Sequence, residues 1–567
     1  MKLRSLFRRP NLEYGLTLLL LVAANTVAFA SYSSPALYSD DWTEIIAGPL
    51  TIARDKAPLP IRSLTDPRPF QITANQILIN LVGPNLSVLY AILWVLNLLS
   101  PLVFYSLLRR LRVKGLRTPA VIWALLFSVY PTVYTHMWLT TAVNHVANML
   151  LVLVSVYFLL RYVESGWSVT LFLSVIAAVL SFGVYENQLG LLLAWPLLLT
   201  AIYKPLPPAR RVLLWLPSAF IIVWLGLRVL AQNNTAIPDP NLPKVNLSFL
   251  TVASRLFTGY RVSLIWGWTG ALVRLLPVVP NTKISLVLLV AVTTLIWLVA
   301  RMLLPSKKKW SFRRRLSIAC SLSAQAIAGL LLLGAGYIPA VFVYGATLSS
   351  VFTRYNYFAV IGSTIVLSSA LTAGSLLLAK SPYQVRSLYL ASAVLFLAIS
   401  VATQASVQRD IKSSWHEQVA IWQSLFNTAP NFVDGTTVIF VLPDYADRVG
   451  FINWKRTPLS SSWETGAALQ LLYNNPTIKG GVTFPDIDTP EEVILTTQGV
   501  LDQFTGNTTA YTQTVLFRFD PNTRTLTRME AVPAWLVEGA KADIPLPSGL
   551  VTNTQPKDTS FRYLVAP

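Results

Sequence analysis

The chain has 567 residues, 54% of them apolar and 12% charged, a balance that excludes an ordinary soluble protein. Its net charge of +20 is unevenly placed: residues 1–406 hold 33 Lys/Arg against 9 Asp/Glu, whereas residues 407–567 hold 12 against 16. The basic excess belongs to the apolar part and reads as membrane topology rather than nucleic-acid binding. With Cys320 alone, no intrachain disulfide can form.

Apolar runs near 20 residues recur through the first 406 positions, each long enough to cross a bilayer as a helix. The first, Tyr14–Ala30, follows Lys2, Arg4, Arg8 and Arg9, which places the N-terminus in the cytoplasm. Ala28-Phe29-Ala30 resembles a signal-peptidase site, but the run is long for a signal peptide and reads as an uncleaved anchor. A polar, proline-rich loop follows over about 31–85, with one short helix expected within Pro69–Val82. The second span, Leu86–Leu108, ends in Arg109, Arg110, Arg112 and Lys114. Further spans are expected at Pro119–Tyr134, Ala142–Leu160, Trp167–Val184, Leu189–Tyr203 and Val212–Ala231, then a second external loop at about 232–283. The last four are Ile284–Leu304, Leu316–Gly336, Asn356–Leu378 and Leu388–Thr403, making about eleven transmembrane helices. Of the 33 basic residues in this part, 22 fall on the cytoplasmic side, and seven of its nine acids fall outside.

Residues 407–567 have mixed polarity and no spanning run, and read as a soluble α/β domain outside the cytoplasm. Trp415–Phe426 has an amphipathic helical pattern. Gly435–Pro443 is an apolar run bounded by turn residues, the mark of a buried strand, and Val493–Leu495 and Val515–Phe519 read as further strands. The domain division is therefore 1–406 and 407–567.

On this topology the unusual polar groups gather on the external side. Asp40 and Asp41 stand beside Trp42 just after the first span, with Glu44 one turn on and Arg68 between two prolines. His136, Trp138, Asn144 and His145 lie in the next external turn, Tyr185 and Glu186 directly follow a span, and Arg354 and Tyr355 directly precede one. Arg255 and Arg261 fall in the second loop. A carboxylate held at a membrane surface can serve as general base toward a hydroxyl, and a guanidinium can clamp a phosphate through two parallel hydrogen bonds. Adjacent aspartates could also hold a divalent cation, Mg or Mn, through oxygen ligands.

An Asp-Asp-Trp after the first span, a long first external loop, about eleven spans and an external C-terminal domain resemble the GT-C class of membrane glycosyltransferases, which use polyprenyl-phosphate or diphosphate sugars. The resemblance implies an integral inner-membrane enzyme moving a sugar to an acceptor glycan, lipid or protein. It makes Asp40 or Asp41 the catalytic base or cation ligand. Tyr185-Glu186 resembles an acidic position at a later external helix end, and Arg354-Tyr355 the phosphate-binding segment. Glu44, Arg68 and His136 complete the expected substrate-binding set.

Plainer readings stand beside each. The aspartates could be solvated helix stops, Glu186 a helix N-cap, Arg354 a snorkelling anchor, and Arg68 an ordinary loop residue. His136 and His145, nine apart with no nearby cysteine, suit hydrogen-bonded interfacial residues better than metal ligands. A transporter or flippase for a lipid-linked glycan is the alternative function, opposed by the scarcity of ionisable groups within the spans. A non-catalytic assembly scaffold is the third.

Overall fold

The computed structural model describes residues 10–29, 36–38, 40–50, 68–111, 117–134, 138–203, 206–232, 248–275, single positions within 287–294, 312–343, 345–348, 350–379, 381–443, 448–449, 452–453, 459, 462–484, 493–503, 506–554, 556 and 559–565. Among the described residues, five helical stretches are long and apolar enough to cross a membrane: Leu86–Arg110, Leu139–Ser165, Ser317–Val343, Thr353–Leu378 and Pro382–Thr428. Shorter apolar helices occupy Glu13–Ala28, Ala120–Val129, Ser168–Val184, Leu189–Ile202 and Leu216–Ala231. The protein is an integral membrane protein, largely helical, and among the described residues its strands lie in the C-terminal part. The span expected at 284–304 falls almost wholly outside the described residues.

The helices alternate in direction, and charged groups mark one end of the stack. Glu13, near the start of α1 (Pro10–Ala28), pairs with Arg109 at the end of α2 (Leu86–Arg110). Arg110 reaches Glu164 at the end of α3 (Asn148–Ser165) at 3.5 Å, and accepts through its carbonyl from the Tyr203 hydroxyl after α4 (Leu189–Ile202). The opposite ends of α1, α2 and α3 meet where the Asp40 segment lies. Between α3 and α4 in the chain, the helix Ser168–Val184 also ends on the Asp40 side.

Two helices cross closely at that side. Phe312–Val343 packs against Val360–Leu378, and a Cβ added at Gly362 would lie 2.1 Å from the Leu333 nitrogen. Small residues let backbones approach in this way where a membrane offers no hydrophobic drive for association. The contact fixes the 3₁₀ segment Ser350–Ala359, which carries Arg354 and Tyr355. Asn356 locks it by donating to the carbonyls of Thr132 and Thr347, both at 2.8 Å.

The sequence predicts a last span at Leu388–Thr403 and a separate amphipathic helix at Trp415–Phe426. The structure has one helix instead, Pro382–Thr428, opened by a capping box in which Ser381 and Gln384 each accept from the other's backbone N–H. At 47 residues it is about 70 Å long, too long for a bilayer alone, so it carries the chain out of the apolar part without a break. No Gly or Pro lies inside it to mark a stop.

Its far half bears the sheet. Strand β1 (Thr437–Val441) pairs in parallel with β2 (Lys479–Thr483) on one side and β3 (Thr514–Asp520) on the other, and β4 (Thr525–Arg528) adds antiparallel to β3. All five residues of β1 are buried, as its uninterrupted apolar pattern predicts for a central strand. Phe440 faces the long helix, its ring 5.7 Å from Trp422, while Ile439 and Val441 face a second core with Val493, Leu495 and Leu516. The parallel β1–β2 pair requires a crossover, and it holds the helix Ser462–Leu472. That helix ends beside the start of β2, so its first turn lies toward the carboxyl edge of the strands.

Candidate active site

Asp40, Asp41 and Trp42 are consecutive and do three different things. Trp42 is fully buried, its ring 6.3 Å from Trp422 of the long helix. Asp41 is also fully buried. Its Oδ1 accepts from the Thr140 backbone N–H and hydroxyl, both at 2.7 Å, and its Oδ2 from the Tyr38 N–H at 3.1 Å. Asp40 alone turns to the surface: its Oδ2 accepts from Arg354 Nη1 and its Oδ1 from the Trp463 indole N–H, each at 3.0 Å. The backbone makes this division by winding residues 41–47 as a π-helix, and a second π segment at 142–147 lies beside it. Such wide turns are uncommon and cluster at functional sites.

Glu44 lies on the same segment, and its Oε2 accepts from the Gln71 amide at 2.5 Å and the Asn144 amide at 3.2 Å. Burial, and then the Asp40 carboxylate, pushes Glu44 above the usual carboxylate value against a weaker pull from Arg68.

Arg68 forms a forked pair with Glu186, Nε to Oε2 at 3.1 Å and Nη2 to Oε1 at 3.0 Å, and its guanidinium lies 4.0 Å above the Tyr185 ring. Its backbone has φ of +50°, a conformation that costs a non-glycine residue energy and needs its surroundings to hold it. The hold is visible two residues later. Phe70 donates its N–H to the Gly183 carbonyl at 2.9 Å, and a Cβ on Gly183 would come within 2.2 Å of the Phe70 ring. Burial pushes the Glu186 carboxyl up, but Arg68 outweighs it and holds Glu186 below the usual value. Glu186 does not cap the next helix, whose N-cap is Gln188 with no side-chain bond.

Arg354 places its guanidinium 5.5 Å from the centre of the buried Tyr355 ring, and its buried Nε has no hydrogen-bond acceptor among the described residues. His145 is buried between the rings of Tyr185 and Phe358, at 4.9 and 5.8 Å. Neither of its ring nitrogens has a hydrogen-bond partner among the described residues, unlike the hydrogen-bonded histidine expected at the interface.

The structure thus brings Asp40, Glu44, Arg68, Tyr185, Glu186, Arg354 and Tyr355 into one cluster from four separate stretches of chain. His136 lies outside the described residues. Arg255 and Arg261 are engaged elsewhere, Arg255 on the Val341 carbonyl and Arg261 over the Trp266 ring. Gln71 and Trp463 join the cluster although nothing in their local sequence marked them; Trp463 is 423 positions from its partner Asp40.

A divalent cation does not fit the two aspartates as a pair, because Asp41 is fully buried with its oxygens turned to Thr140 and Tyr38, whereas Asp40 points away from it to the Arg354 guanidinium. Among the described residues no group of three His, Cys, Asp or Glu side chains is placed to hold a metal.

No protein-family model matches the chain, and no curated protein does. Among solved structures, it is similar to ArnT from Cupriavidus metallidurans bound to undecaprenyl phosphate, at 14% identity and a TM-score of 0.32, over 90% of this chain and 94% of that one. A superposition this loose leaves the chemistry of the site to its own side chains.

Proposed function

We propose that the protein is a membrane glycosyltransferase that moves a sugar from a polyprenyl-phosphate carrier to an acceptor hydroxyl, with its site on the extracytoplasmic face. One observation carries the proposal. A carboxylate and a guanidinium meet at 3.0 Å beside the ends of apolar helices, and the guanidinium keeps one buried N–H without an acceptor. Nearly all buried donors are satisfied, so a buried arginine N–H left over marks a place for an incoming oxygen. A phosphate at headgroup level supplies one, and arginine suits it by geometry and permanent charge.

In the reaction, the acceptor oxygen attacks the anomeric carbon and its proton passes to Asp40. The bond from that carbon to the phosphate oxygen breaks, and the electron pair leaves on the lipid phosphate, where Arg354 meets the developing charge. Attack opposite the leaving group inverts the anomeric centre. Asp41, with both oxygens engaged inside the fold, holds the segment in register. The Arg68–Glu186 pair and Glu44 set the shape and charge around the sugar.

The test is lipid-phosphate release from a panel of undecaprenyl-phosphate sugars by purified protein in lipid. Arg354→Ala is expected to lower turnover by about 10²–10³-fold, the range for removing one preorganised donor to a developing anion. Turnover untouched by that change would remove Arg354 from the reaction.

A further inference from the structure

Away from the Asp40 cluster, a cleft of about 920 Å³ opens where the helical part meets the strands. Its walls are the Pro84–Ser87 stretch that starts α2, the face of the long helix from Trp415 to Gln423, Arg524 in the β3–β4 turn, and Tyr563 with Leu564. The walls are fixed to one another: Leu526 donates its N–H to Ser424 Oγ at 2.7 Å, and the Gln423 amide donates to the Val565 carbonyl at 3.3 Å. The floor is apolar, and the rim is cationic. His416 and Arg524 line it, and Arg524, together with Lys412 one turn earlier on the helix, acts electrostatically on His416. Among the described residues no carboxylate lines the cleft, and none pairs with His416 or Arg524. Its height follows from α2, whose 25 residues span about 37 Å. With Arg109 and Arg110 in one headgroup layer, the start of α2 falls in the other, because a bilayer has about 30 Å of hydrocarbon and about 40–45 Å with headgroups. Next to the floor in the chain, Ile77, Leu81 and Val88 are 43%, 77% and 39% exposed, so the apolar surface continues outward from the cleft.

We infer that this cleft binds an anionic phospholipid, with its phosphate between His416 and Arg524 and an acyl chain along Val82, Leu86, Val419 and Leu564. A guanidinium forks onto phosphate oxygens, an imidazole N–H adds a donor, and the positive end of α2 favours the same charge. A soluble anion would leave the apolar floor uncovered. A zwitterionic lipid would bring its own cation against a cationic rim. A lipid with a net negative head and a chain meets both halves of the cleft at once. It would touch the helical part and the strand-bearing part together, and Trp415, whose ring lies 6.1 Å from that of Tyr38, joins the cleft to the segment that carries Asp40. Lipid binding here does not depend on the transferase reading.

The test is photolabelling of the full chain in lipid nanodiscs by a phosphatidylglycerol that carries a diazirine in one acyl chain, with the labelled peptides mapped by mass spectrometry. Wild type is expected to carry label on residues 82–87 and 415–423. A phosphatidylcholine with the same chain is expected to label them about fivefold less, the attraction that one cation adds toward an anionic lipid. Arg524→Gly is expected to cut the phosphatidylglycerol label by about the same factor. The fold should hold in that variant, because glycine takes the Arg524 φ of +56° without strain. Ala420→Trp, which fills the floor and keeps both cations, is expected to cut the label as far. Glycerol phosphate, the soluble headgroup alone, is expected not to compete. Equal labelling by the two lipids overturns the inference, as does labelling untouched by Arg524→Gly or by Ala420→Trp. So does label confined to other segments. Displacement by glycerol phosphate overturns it too, and would make the cleft a site for soluble phosphate.

Discussion

At the scale of single residues, the two aspartates of one dipeptide separate into a reacting group and a staple. Asp41 accepts three hydrogen bonds from two elements while fully buried, so removing its charge strips the Thr140 and Tyr38 donors of a strong partner. Asp41→Ala is expected to cost about 2–4 kcal/mol, read as a lower thermal midpoint in detergent, since each buried donor left alone costs about 1–3 kcal/mol. Glu44 and Glu186 titrate in opposite senses. Glu44 is raised, so its contribution to stability is complete below the ordinary carboxylate value near 4.5 and is lost as pH rises through its folded value. Glu44→Gln, whose carbonyl can still accept from Gln71 and Asn144, should therefore match wild type in acid and melt higher at neutral pH. Glu186 is lowered by Arg68, so its contribution is present above that ordinary value and fades as pH falls through its folded one. Glu186→Gln should cost about 2 kcal/mol near neutrality, the worth of a charge-assisted bond, and nothing in strong acid. Thermal melts of the two variants from pH 4 to 8 would show opposite slopes relative to wild type; parallel curves would contradict both assignments.

At the scale of elements, what the sequence showed and what it hid follow from the range of the forces. Apolar runs such as Leu86–Leu108 are legible because membrane insertion is decided locally, residue by residue, and the structure places Leu86–Arg110 there as a helix. The buried strand at Gly435–Pro443 was legible for the same reason and appears as Thr437–Val441. The 47-residue helix was not, because its pattern changes halfway: apolar all round over Leu388–Thr403, then striped where it meets the sheet. A change of surroundings looks in sequence like an end of the element. The π turn at 41–47 leaves no sequence mark either, yet it is what aims Asp40 outward while Asp41 and Trp42 point in. Trp42 binds that turn to the long helix, and Trp42→Ala is expected to lose about 3–5 kcal/mol, the usual cost of emptying a buried tryptophan site. It should also lower activity per folded molecule, because Asp40 loses its register. A melt unchanged by that substitution would show that the segment is held by other contacts.

At the scale of the molecule, the site belongs to neither part of the chain alone. Asp40, Glu44, Arg68, Glu186 and Arg354 come from the helical part, and Trp463 comes from the strand-bearing part over a separation no local pattern can span. That is why sequence could assemble the charged residues, which share a position at helix ends, and could not add the tryptophan. The long helix makes the union possible: it fixes the sheet by Trp422 against Phe440 and the Asp40 segment by the Tyr38 hydroxyl on the Ile411 carbonyl. In the proposed reaction Asp40, and not its neighbour, takes the acceptor's proton. The most direct measurement is single-turnover release of lipid phosphate by wild type, Asp40→Asn and Asp41→Asn, normalised to folded protein. Asp40→Asn is expected to lose about 10²–10⁴-fold, the range for removing a general base, with an unchanged melt. Asp41→Asn is expected to melt lower but retain turnover. Turnover that survives Asp40→Asn and vanishes in a well-folded Asp41→Asn would contradict that assignment.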